Sequence, residues 1–218
     1  MTQKEFTPAA RFHILTPVYD LAVGLLTRET IWGGKLLSSV DPKPGDTILD
    51  VGYGTGSFIS RMGIYEPEAS LIGLDPDTQV LEIARRKTAK IGVNVRLING
   101  FLDSETVAHI GPVTKVVSSL VFHQTPIDKK ANILFMMRSV LSGGGSLHIA
   151  DYGLQRTKLM RALFRVTIQN FDGMSDTQPN ADGCLPELME AAGFNTVIET
   201  NVVPTPTGSI SLYRAAAD

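Results

Sequence analysis

Three glycines at alternate positions, directly after an apolar run, constrain this chain more than any other feature of its sequence. Residues 48–51 have the composition of a buried strand; Gly52, Gly54 and Gly56 follow, and a helical pattern begins at Ser57. Glycine lets the backbone turn tightly and approach a ligand without an intervening Cβ. The free N–H groups at a helix N-terminus attract negative charge. The segment therefore predicts a strand–loop–helix unit that holds a nucleotide-like or carboxylate-bearing ligand.

The spacing of these glycines differs from two common phosphate-binding loops. The dinucleotide fingerprint is G-x-G-x-x-G, and Ser57 stands where it requires the third glycine. The chain also has no G-x-x-x-x-G-K-[ST] loop of the kind that holds triphosphates. A second strand-like run, residues 69–74, ends at Asp75, about 20 residues beyond the last glycine, where a carboxylate can accept ribose hydroxyls.

Together these motifs resemble those of the class I S-adenosylmethionine-dependent methyltransferases. They are most similar to the small-molecule (type 11 domain) group that includes the ubiquinone and menaquinone biosynthesis methyltransferases. The resemblance extends from residue 16 to residue 215. It implies an α/β fold with a Rossmann-like, doubly wound, mostly parallel seven-stranded sheet, a terminal antiparallel hairpin and N-terminal helices. It also implies S-adenosyl-L-methionine as the cofactor and a small molecule as the methyl acceptor.

Length and charge fit one globular domain that does not bind nucleic acid. The chain has 218 residues, of which 43% are hydrophobic, and a net charge of −2. Its densest basic group, residues 85–87, is interpreted as a solvated helix face rather than the basic patch that nucleic-acid binding requires.

Cysteine content and apolar runs bear on metals and on location. The single cysteine, Cys184, excludes an internal disulfide and a multi-cysteine metal site, so no metal is predicted. Residues 1–11 lack a signal-peptide pattern, and no apolar run approaches the roughly 18 residues of a membrane span. We therefore expect a cytoplasmic protein, for which peripheral membrane contact stays possible.

Strand and helix patterns alternate through the middle of the chain. This alternation predicts parallel strands, right-handed crossovers and a ligand crevice at the carboxyl ends of the strands. Glycines 143–145 are expected to end the long fourth helix, and two alternating strands around residues 204–208 predict an antiparallel hairpin. The predicted strands are 47–52, 70–75, 93–98, 113–120 and 144–150, and the predicted helices are 56–64, 77–90, 103–109 and 126–141.

The single domain, residues 1–218, is predicted to have four parts. They are an N-terminal helical cap (1–45), a cofactor-binding core (46–153), a substrate-cover segment (154–183), and a helix with the terminal hairpin (184–218). The cap has an amphipathic pattern at 14–26, interrupted at Pro17, and a second helical pattern at 31–40. Residues 164–183 show the least pattern, which predicts a long irregular binding loop.

The resemblance assigns the methionyl end of the cofactor to the loop after the first strand. Gly52, Gly54 and Gly56 would provide space and N–H groups. Asp50 would orient the loop or reach the amino group through water. Tyr53 departs from the small residue that the family often has between the first two glycines, so its ring is expected either to stack over the cofactor or to crowd it.

The resemblance assigns the ribose and the adenine to the next two strand ends. Asp75 would accept from the ribose, with Pro76 beside it. Asp103 matches an acidic residue that accepts from the adenine amino group, with Leu102 or Phe101 against the ring. As an alternative or in addition, Asp103 is a helix N-cap.

Candidate catalytic residues are harder to identify, because methyl transfer from a sulfonium depends on positioning rather than on a fixed triad. His123, after the fourth strand, is predicted to contact the substrate or act as a base, since its ordinary pKa suits either role. Asp151 or Tyr152 would meet the substrate after the fifth strand. Tyr19 resembles part of a Tyr-Asp pair of the family, and Ser118 could line the cofactor. Each of these residues also has a purely structural interpretation.

Two other classes of function stay open. A short-chain NAD(P) oxidoreductase would have a Tyr-x-x-x-Lys pair, and none of the five tyrosines has lysine four positions on. A non-catalytic S-adenosylmethionine-binding protein or partner subunit would bind the cofactor without transferring its methyl group. The apolar patterns at 14–26 and 160–171 favour a fairly apolar acceptor, such as a quinone precursor, a lipid headgroup or another small metabolite. They would equally suit contacts in a homodimer, so a monomer and a homodimer are both possible.

Overall fold

A mixed β-sheet organises the part of the chain that the structure, a computed structural model, describes, which is residues 26–217. Its strands are β1 (Thr47–Val51), β2 (Ser70–Asp75), β3 (Val95–Asn99), β4 (Val113–Ser119), β5 (Leu141–Tyr152), β6 (Asn195–Thr205) and β7 (Gly208–Ala217). Within these residues the seven strands pair in the order β3-β2-β1-β4-β5-β7-β6.

The order of the strands produces a crevice at their carboxyl ends. β1 pairs in parallel with both β2 and β4, so successive crossovers leave in opposite directions at this point. β2–β3 and β4–β5 are also parallel, whereas β7 lies antiparallel between β5 and β6. The Rossmann-like, doubly wound sheet with a terminal antiparallel hairpin is therefore confirmed. Ligands of such sheets bind where the strand order reverses.

Helices cover both faces of the sheet. They are α1 (Glu29–Val40), α2 (Ser57–Tyr65), α3 (Thr78–Ile91), α4 (Ser104–Ile110), α5 (Ile127–Val140), α6 (Lys158–Phe164), the single turn α7 (Asn170–Asp172), α8 (Met174–Ala181) and α9 (Leu185–Ala191). A 3-10 turn, Phe122–Gln124, follows β4, and a π-helical turn, Arg165–Gln169, joins α6 to α7. The predicted strands and helices of the core all occur, with bounds shifted by a few residues.

Each face of the sheet has its own hydrophobic core. On one face Trp32 and Phe58 pack against residues of the central strands, and on the other Leu134 and Met189 do so. Removing such a side chain from water contributes about 1.5–3 kcal/mol. The two cores hold the strand ends of the crevice at fixed positions.

The start of α3 shows how local sequence sets these positions. Asp77 accepts a hydrogen bond from Gln79 N at 2.8 Å, which confirms it as the predicted N-cap. Gly92 ends the helix with φ +72°, a left-handed conformation that glycine adopts without steric cost. The helix therefore begins immediately after Asp75, at the crevice.

The prediction for glycines 143–145 is wrong. α5 ends at Val140, and the next residue, Leu141, is already extended (φ −72°, ψ 135°) and begins β5. A Cβ on Gly145 would lie 2.9 Å from the carbonyl oxygen of Thr114. The glycine is therefore needed for the close approach of β4 and β5, not for a helix cap.

The prediction of an irregular loop over residues 164–183 is also wrong, because the segment is mostly helical. Its pattern is hidden in the sequence, since several of its buried side chains are polar. Asn180 is fully buried and donates to the Tyr152 carbonyl at 2.8 Å. Gln169 donates to Gln178 Oε1 at 3.0 Å. Hydrophobic periodicity therefore cannot reveal these helices.

The terminal hairpin is longer than the sequence predicts. β6 includes Pro204, which pairs with Ser209. Because β6 is an edge strand, the missing N–H of proline does not interrupt the interior of the sheet.

Within residues 26–217 no helix is both long and apolar enough to cross a membrane. The predicted first helix at 14–26 falls almost entirely outside the described residues.

Candidate active site

The glycine loop (residues 52–56) lies at the carboxyl end of β1. Gly52 has φ +79°, and a Cβ there would lie 2.2 Å from Val121 Cγ2. Gly54 has φ +52°, and a Cβ there would meet no atom of the described residues within 4 Å. Gly56, at φ +79°, is the N-cap of α2. Val121, just after β4, therefore closes the loop on one side, and the loop is open at Gly54, where a ligand can bind.

Asp75 ties the end of β2 to this loop. Its Oδ2 accepts from Gly54 N at 3.0 Å and its Oδ1 from Asp77 N at 2.9 Å. Burial raises the pKa of Asp75, while these two N–H groups act in the opposite direction. Each oxygen keeps a second lone pair, so the carboxylate can still accept ribose hydroxyls as the sequence predicts.

Asp50 is a fully buried carboxyl group under the glycine loop. Neither of its oxygens has a hydrogen-bond partner among the described residues. Burial, with a further contribution from the charge of Asp75, raises its pKa to about 8. Buried polar groups without a partner are rare, and an acidic one beside an open cradle fits a ligand that brings a positively charged or N–H-bearing group.

Tyr53 and Ser118 support the loop from behind. The Tyr53 ring packs with Val80 and lies so close to Gly73 that a Cβ there would be 2.7 Å from Cδ1. Burial raises the pKa of its hydroxyl, and the ring faces the core rather than the open side of the loop. Ser118 is fully buried and donates to the Val51 carbonyl at 2.8 Å, so it links β4 to β1.

The predicted adenine side begins after β3. Asp103 is exposed and caps α4 by accepting from Thr106 N at 2.8 Å, a bond that lowers its pKa. Leu102 is 6% exposed and belongs to the core, whereas Phe101 is 55% exposed. Phe101 is therefore the accessible one of the two predicted ring contacts. Pro76 is half-buried next to Asp75.

Lys87 contacts the glycine loop, although the sequence placed it on a solvated face. Its Nζ donates to Ser57 Oγ at 2.8 Å and to Thr55 Oγ1 at 3.2 Å, at the start of α2. Arg85 and Arg86 are exposed as predicted. The buried stripe of α3 includes Thr88, so helical periodicity places Lys87 at the border of that stripe and could have identified it.

His123 lies on the 3-10 turn after β4 and is fixed by Asp151 on the neighbouring strand. Its Nδ1 donates to Asp151 Oδ1 at 2.8 Å. The same carboxylate accepts from the backbone N–H groups of Phe122 at 2.6 Å, His123 at 3.3 Å and Tyr152 at 2.7 Å. Asp151 is fully buried. Asp151 is therefore anchored at the base of the histidine turn, where it holds the His123 ring; that it meets the substrate stays a prediction.

A second carboxylate faces the other nitrogen of the ring. His123 Nε2 lies 3.6 Å from Asp172 Oδ2, at the end of α7. Burial on its own would lower the pKa of His123, but Asp151 and Asp172 outweigh it and raise the pKa to about 9. The ring is therefore an imidazolium near neutral pH. Sequence reasoning missed Asp172, because nothing in the unpatterned segment distinguished it from other exposed acidic residues.

Tyr152 supports the histidine ring from β5. The two rings meet edge-on, with centroids 5.0 Å apart. The Tyr152 hydroxyl is hydrogen-bonded to Thr207 Oγ1 at 2.7 Å, and the residue is 1% exposed. Tyr152 thus packs against His123, and its hydroxyl is already bonded; contact with a substrate stays a prediction. Tyr19, the third predicted catalytic residue, lies outside the described residues. Across residues 26–217 no group of three or more His, Cys, Asp or Glu side chains is arranged to hold a metal.

The doubly wound sheet, its glycine loop after β1 and the carboxylate at the end of β2 form the arrangement expected of an S-adenosylmethionine-dependent methyltransferase. The sequence model of the family described as "Methyltransferase domain" matches residues 48–145. The demethylmenaquinone methyltransferase of Thermus thermophilus is 28% identical over 189 residues, which are 83% of each chain. An uncharacterized methyltransferase of a Geobacillus species is 24% identical over 143 residues, 65% of this chain and 64% of the relative.

Solved methyltransferases share the fold. An O-methyltransferase family protein of Burkholderia thailandensis superposes with a TM-score of 0.70 at 15% identity, over 92% of this chain and 58% of that one. Magnesium protoporphyrin IX methyltransferase of Synechocystis, solved with S-adenosylhomocysteine, gives 0.66 at 15% identity, over 95% and 90%. This chain thus spans less than two thirds of the Geobacillus and Burkholderia proteins.

Residues 48–145 thus match a methyltransferase domain, and the sheet has the fold of solved S-adenosylmethionine-dependent methyltransferases. S-Adenosyl-L-methionine carries an ammonium and a sulfonium charge, and the open cradle at Gly54 above the unpartnered Asp50 carboxyl fits this group.

Proposed function

We propose that this protein transfers a methyl group from S-adenosyl-L-methionine to a small, fairly apolar acceptor. The observation that carries the proposal is the arrangement at three adjacent strand ends: the glycine loop after β1, Asp75 after β2 and His123 after β4. Val121, two residues before His123, contacts Gly52. The histidine turn is therefore adjacent to the loop.

The residues that would hold the cofactor follow from this arrangement. Backbone N–H groups of the glycine loop would bind the methionyl end, and Asp50 would receive the ammonium group. Asp75 would accept from the ribose, and Phe101 and Asp103 would bind the adenine. When bound, the cofactor supplies an electrophilic methyl group on a sulfonium sulfur.

His123 would position the acceptor. Because Asp151 fixes Nδ1, only Nε2 is left to interact with an incoming group. An acceptor held there can present its nucleophilic atom in a near-attack geometry, which contributes about 7–11 kcal/mol to lowering a barrier. An imidazolium at this position stabilises negative charge on the acceptor.

The apolar character of the acceptor rests on the cover segment (residues 154–183). Leu159, Val166, Phe171 and Met174 are between 51% and 63% exposed there. The cover segment reaches the histidine turn through α8. Three relatives are named demethylmenaquinone methyltransferase, so quinone precursors are the acceptors to test first. Lipid headgroups and other small metabolites remain the alternatives.

The first test measures cofactor binding. S-Adenosylhomocysteine is expected to raise the melting temperature of the protein. Asp75→Ala should weaken its binding about tenfold or more, since a charge-assisted hydrogen bond contributes about 1.5–3 kcal/mol. Asp128→Ala, which removes an exposed carboxylate on α5, is the matched control and should bind normally. Unchanged affinity in Asp75→Ala would remove the ribose assignment.

The second test measures transfer. The protein is incubated with methyl-labelled S-adenosylmethionine and, in separate reactions, with quinone precursors, lipid headgroups and other small metabolites. The labelled product of each reaction is counted. Binding of S-adenosylhomocysteine without transfer to any acceptor would favour the alternative of a non-catalytic cofactor-binding protein or partner subunit.

A further inference from the structure

We propose that Asp172 is a specificity-determining residue of the acceptor site, which pairs with Nε2 of His123 in the free enzyme and is displaced by an acceptor carrying an anionic oxygen. This inference rests on the proposed function and deepens it. It assigns a role to Asp172 and a chemical class to the acceptor: a phenolate- or enolate-type oxygen on an apolar body.

The two carboxylates beside His123 differ in how firmly they are held. Asp151 accepts four hydrogen bonds and is fully buried. Asp172 lies 3.6 Å from Nε2, beyond the 2.7–3.2 Å of an ordinary N–H···O bond, and 27% of its side chain is exposed. A contact of this length is an ion pair that another anion can replace.

The backbone around Asp172 allows such a replacement. A π-helical turn precedes α7, and Gly173, at φ +87°, separates α7 from α8. Isolated π turns occur frequently at functional sites. α8 is anchored independently, because the fully buried Asn180 donates to the Tyr152 carbonyl. Asp172 can therefore move while α8 remains packed on the histidine turn.

Charge balance selects the class of acceptor. The ionised groups around the ring are Asp151 and Asp172; Tyr152 packs edge-on, and Lys130 donates instead to the Asp176 carbonyl at 2.6 Å. An anionic oxygen at Nε2 replaces the charge of Asp172 one for one. A neutral acceptor can also accept a hydrogen bond from Nε2, but it would exchange the charged partner Asp172 for a neutral one, and bonds between charged groups are roughly twice as strong.

The experiment uses the full chain saturated with S-adenosylhomocysteine and two probes of similar shape. 4-Nitrophenolate carries the anionic oxygen, and nitrobenzene lacks it. Dissociation constants are measured by calorimetry for the wild type, Asp172→Asn, His123→Gln and the double variant. Asp176→Asn is the matched control, because it removes the same charge from the cover segment without touching His123.

The expected pattern of affinities is specific to competition between Asp172 and the anionic probe for Nε2 of His123. Asp172→Asn should bind 4-nitrophenolate about three- to tenfold more tightly, because a competing charge is removed, and should bind nitrobenzene unchanged. His123→Gln should weaken 4-nitrophenolate binding about tenfold or more. The double variant should show no gain from the Asp172 change, and Asp176→Asn should behave like the wild type.

Three results would overturn the inference. They are equal weakening of both probes by Asp172→Asn, the same gain with and without His123, and no preference of the wild type for 4-nitrophenolate. If one of these results is obtained and S-adenosylhomocysteine still binds normally, the proposed function stands and only this inference is rejected. Failure of S-adenosylhomocysteine itself to bind would reject both.

Discussion

Two buried histidines of this protein, His123 and His148, are in opposite electrostatic states. Both are almost inaccessible, at 6% and 1% exposure. His123 lies between two carboxylates, and its pKa is raised to about 9. His148 lies between the hydroxyls of Ser39 and Ser146, each 2.9 Å from a ring nitrogen, and its pKa is lowered to about 3. Burial lowers the pKa of both, so the two carboxylates beside His123 account for the opposite sign of its shift.

The two environments match their positions in the sheet. His148 lies inside β5, paired with Val117 of β4, and burial and then Arg214 and Lys115 keep it neutral. A neutral ring bonded to two hydroxyls completes a packed layer. His123 lies at the crevice, where Asp151 maintains a buried positive charge. The comparison indicates that a buried histidine of this protein is charged where a carboxylate contacts its ring, and neutral where only hydroxyls do.

The substitution with the largest expected effect on the difference between the two histidines is Asp151→Asn. The amide NH₂ would face backbone N–H groups that now donate hydrogen bonds to the carboxylate. The imidazolium of His123 would also lose its buried, negatively charged partner. We expect the free energy of unfolding, measured with urea, to fall by about 3–5 kcal/mol. A loss below 1 kcal/mol would show that His123 is not held as a charged ring.

The second prediction concerns activity. His123→Gln should lower the rate of methyl transfer to the identified acceptor about a hundredfold, since positioned acid–base and charged groups contribute at least that much. S-Adenosylhomocysteine should still bind. His148→Gln is the matched control and should keep the wild-type rate; equal losses in both variants would remove the functional distinction between the two histidines.

The third prediction concerns the hydroxyls beside His148. Ser146→Ala leaves one ring nitrogen without a partner in a buried site. The free energy of unfolding should fall by about 1–2 kcal/mol, with no change in methyl transfer. A drop in activity would show that the surroundings of His148 are coupled to the crevice.

The fourth prediction concerns the dependence of the free energy of unfolding on pH. The pKa of His123, about 9, exceeds the ordinary 6.5, so its contribution is complete below pH 6.5 and is lost as the pH rises through 9. The pKa of His148, about 3, lies below 6.5, so its contribution is complete above pH 6.5 and is lost as the pH falls towards 3. His148→Gln should remove up to about 1.4 kcal/mol per pH unit of acid sensitivity between these values.

Ring ¹⁵N chemical shifts test the same assignment directly. At pH 7.5 the wild type should show an imidazolium signal that is absent in His123→Gln and a neutral-ring signal that is absent in His148→Gln. A neutral His123 at this pH would contradict the charge state on which its proposed role depends.

Sequence alone is enough to predict the sheet and the positions of the glycine loop and Asp75 at its strand ends. The apolar run before Gly52 and the carboxylate after the second strand are local patterns, and a parallel βαβ unit converts them directly into neighbouring strand ends. The hairpin is equally local, since two alternating strands around residues 204–208 determine it.

The surroundings of His123 could not be predicted, because they depend on contacts between residues that are distant in sequence. Asp151 is 28 positions from His123 along the chain, and an acidic residue after a strand is equally compatible with a substrate contact. Asp172 comes from helices whose buried side chains are polar, so no hydrophobic period indicates where it lies. Lys87 was assigned by composition to a solvated face, although its position on α3 places it at the glycine loop.

The insertion of β7 between β5 and β6 has a consequence for biogenesis. β6 precedes β7 in sequence but is separated from β5 by it. While the chain is being made, β5 therefore presents an unpaired edge until residues 208–217 have left the ribosome. Such an edge can pair with another nascent chain, so expression at low temperature or with a holdase chaperone should increase the yield of correctly paired protein.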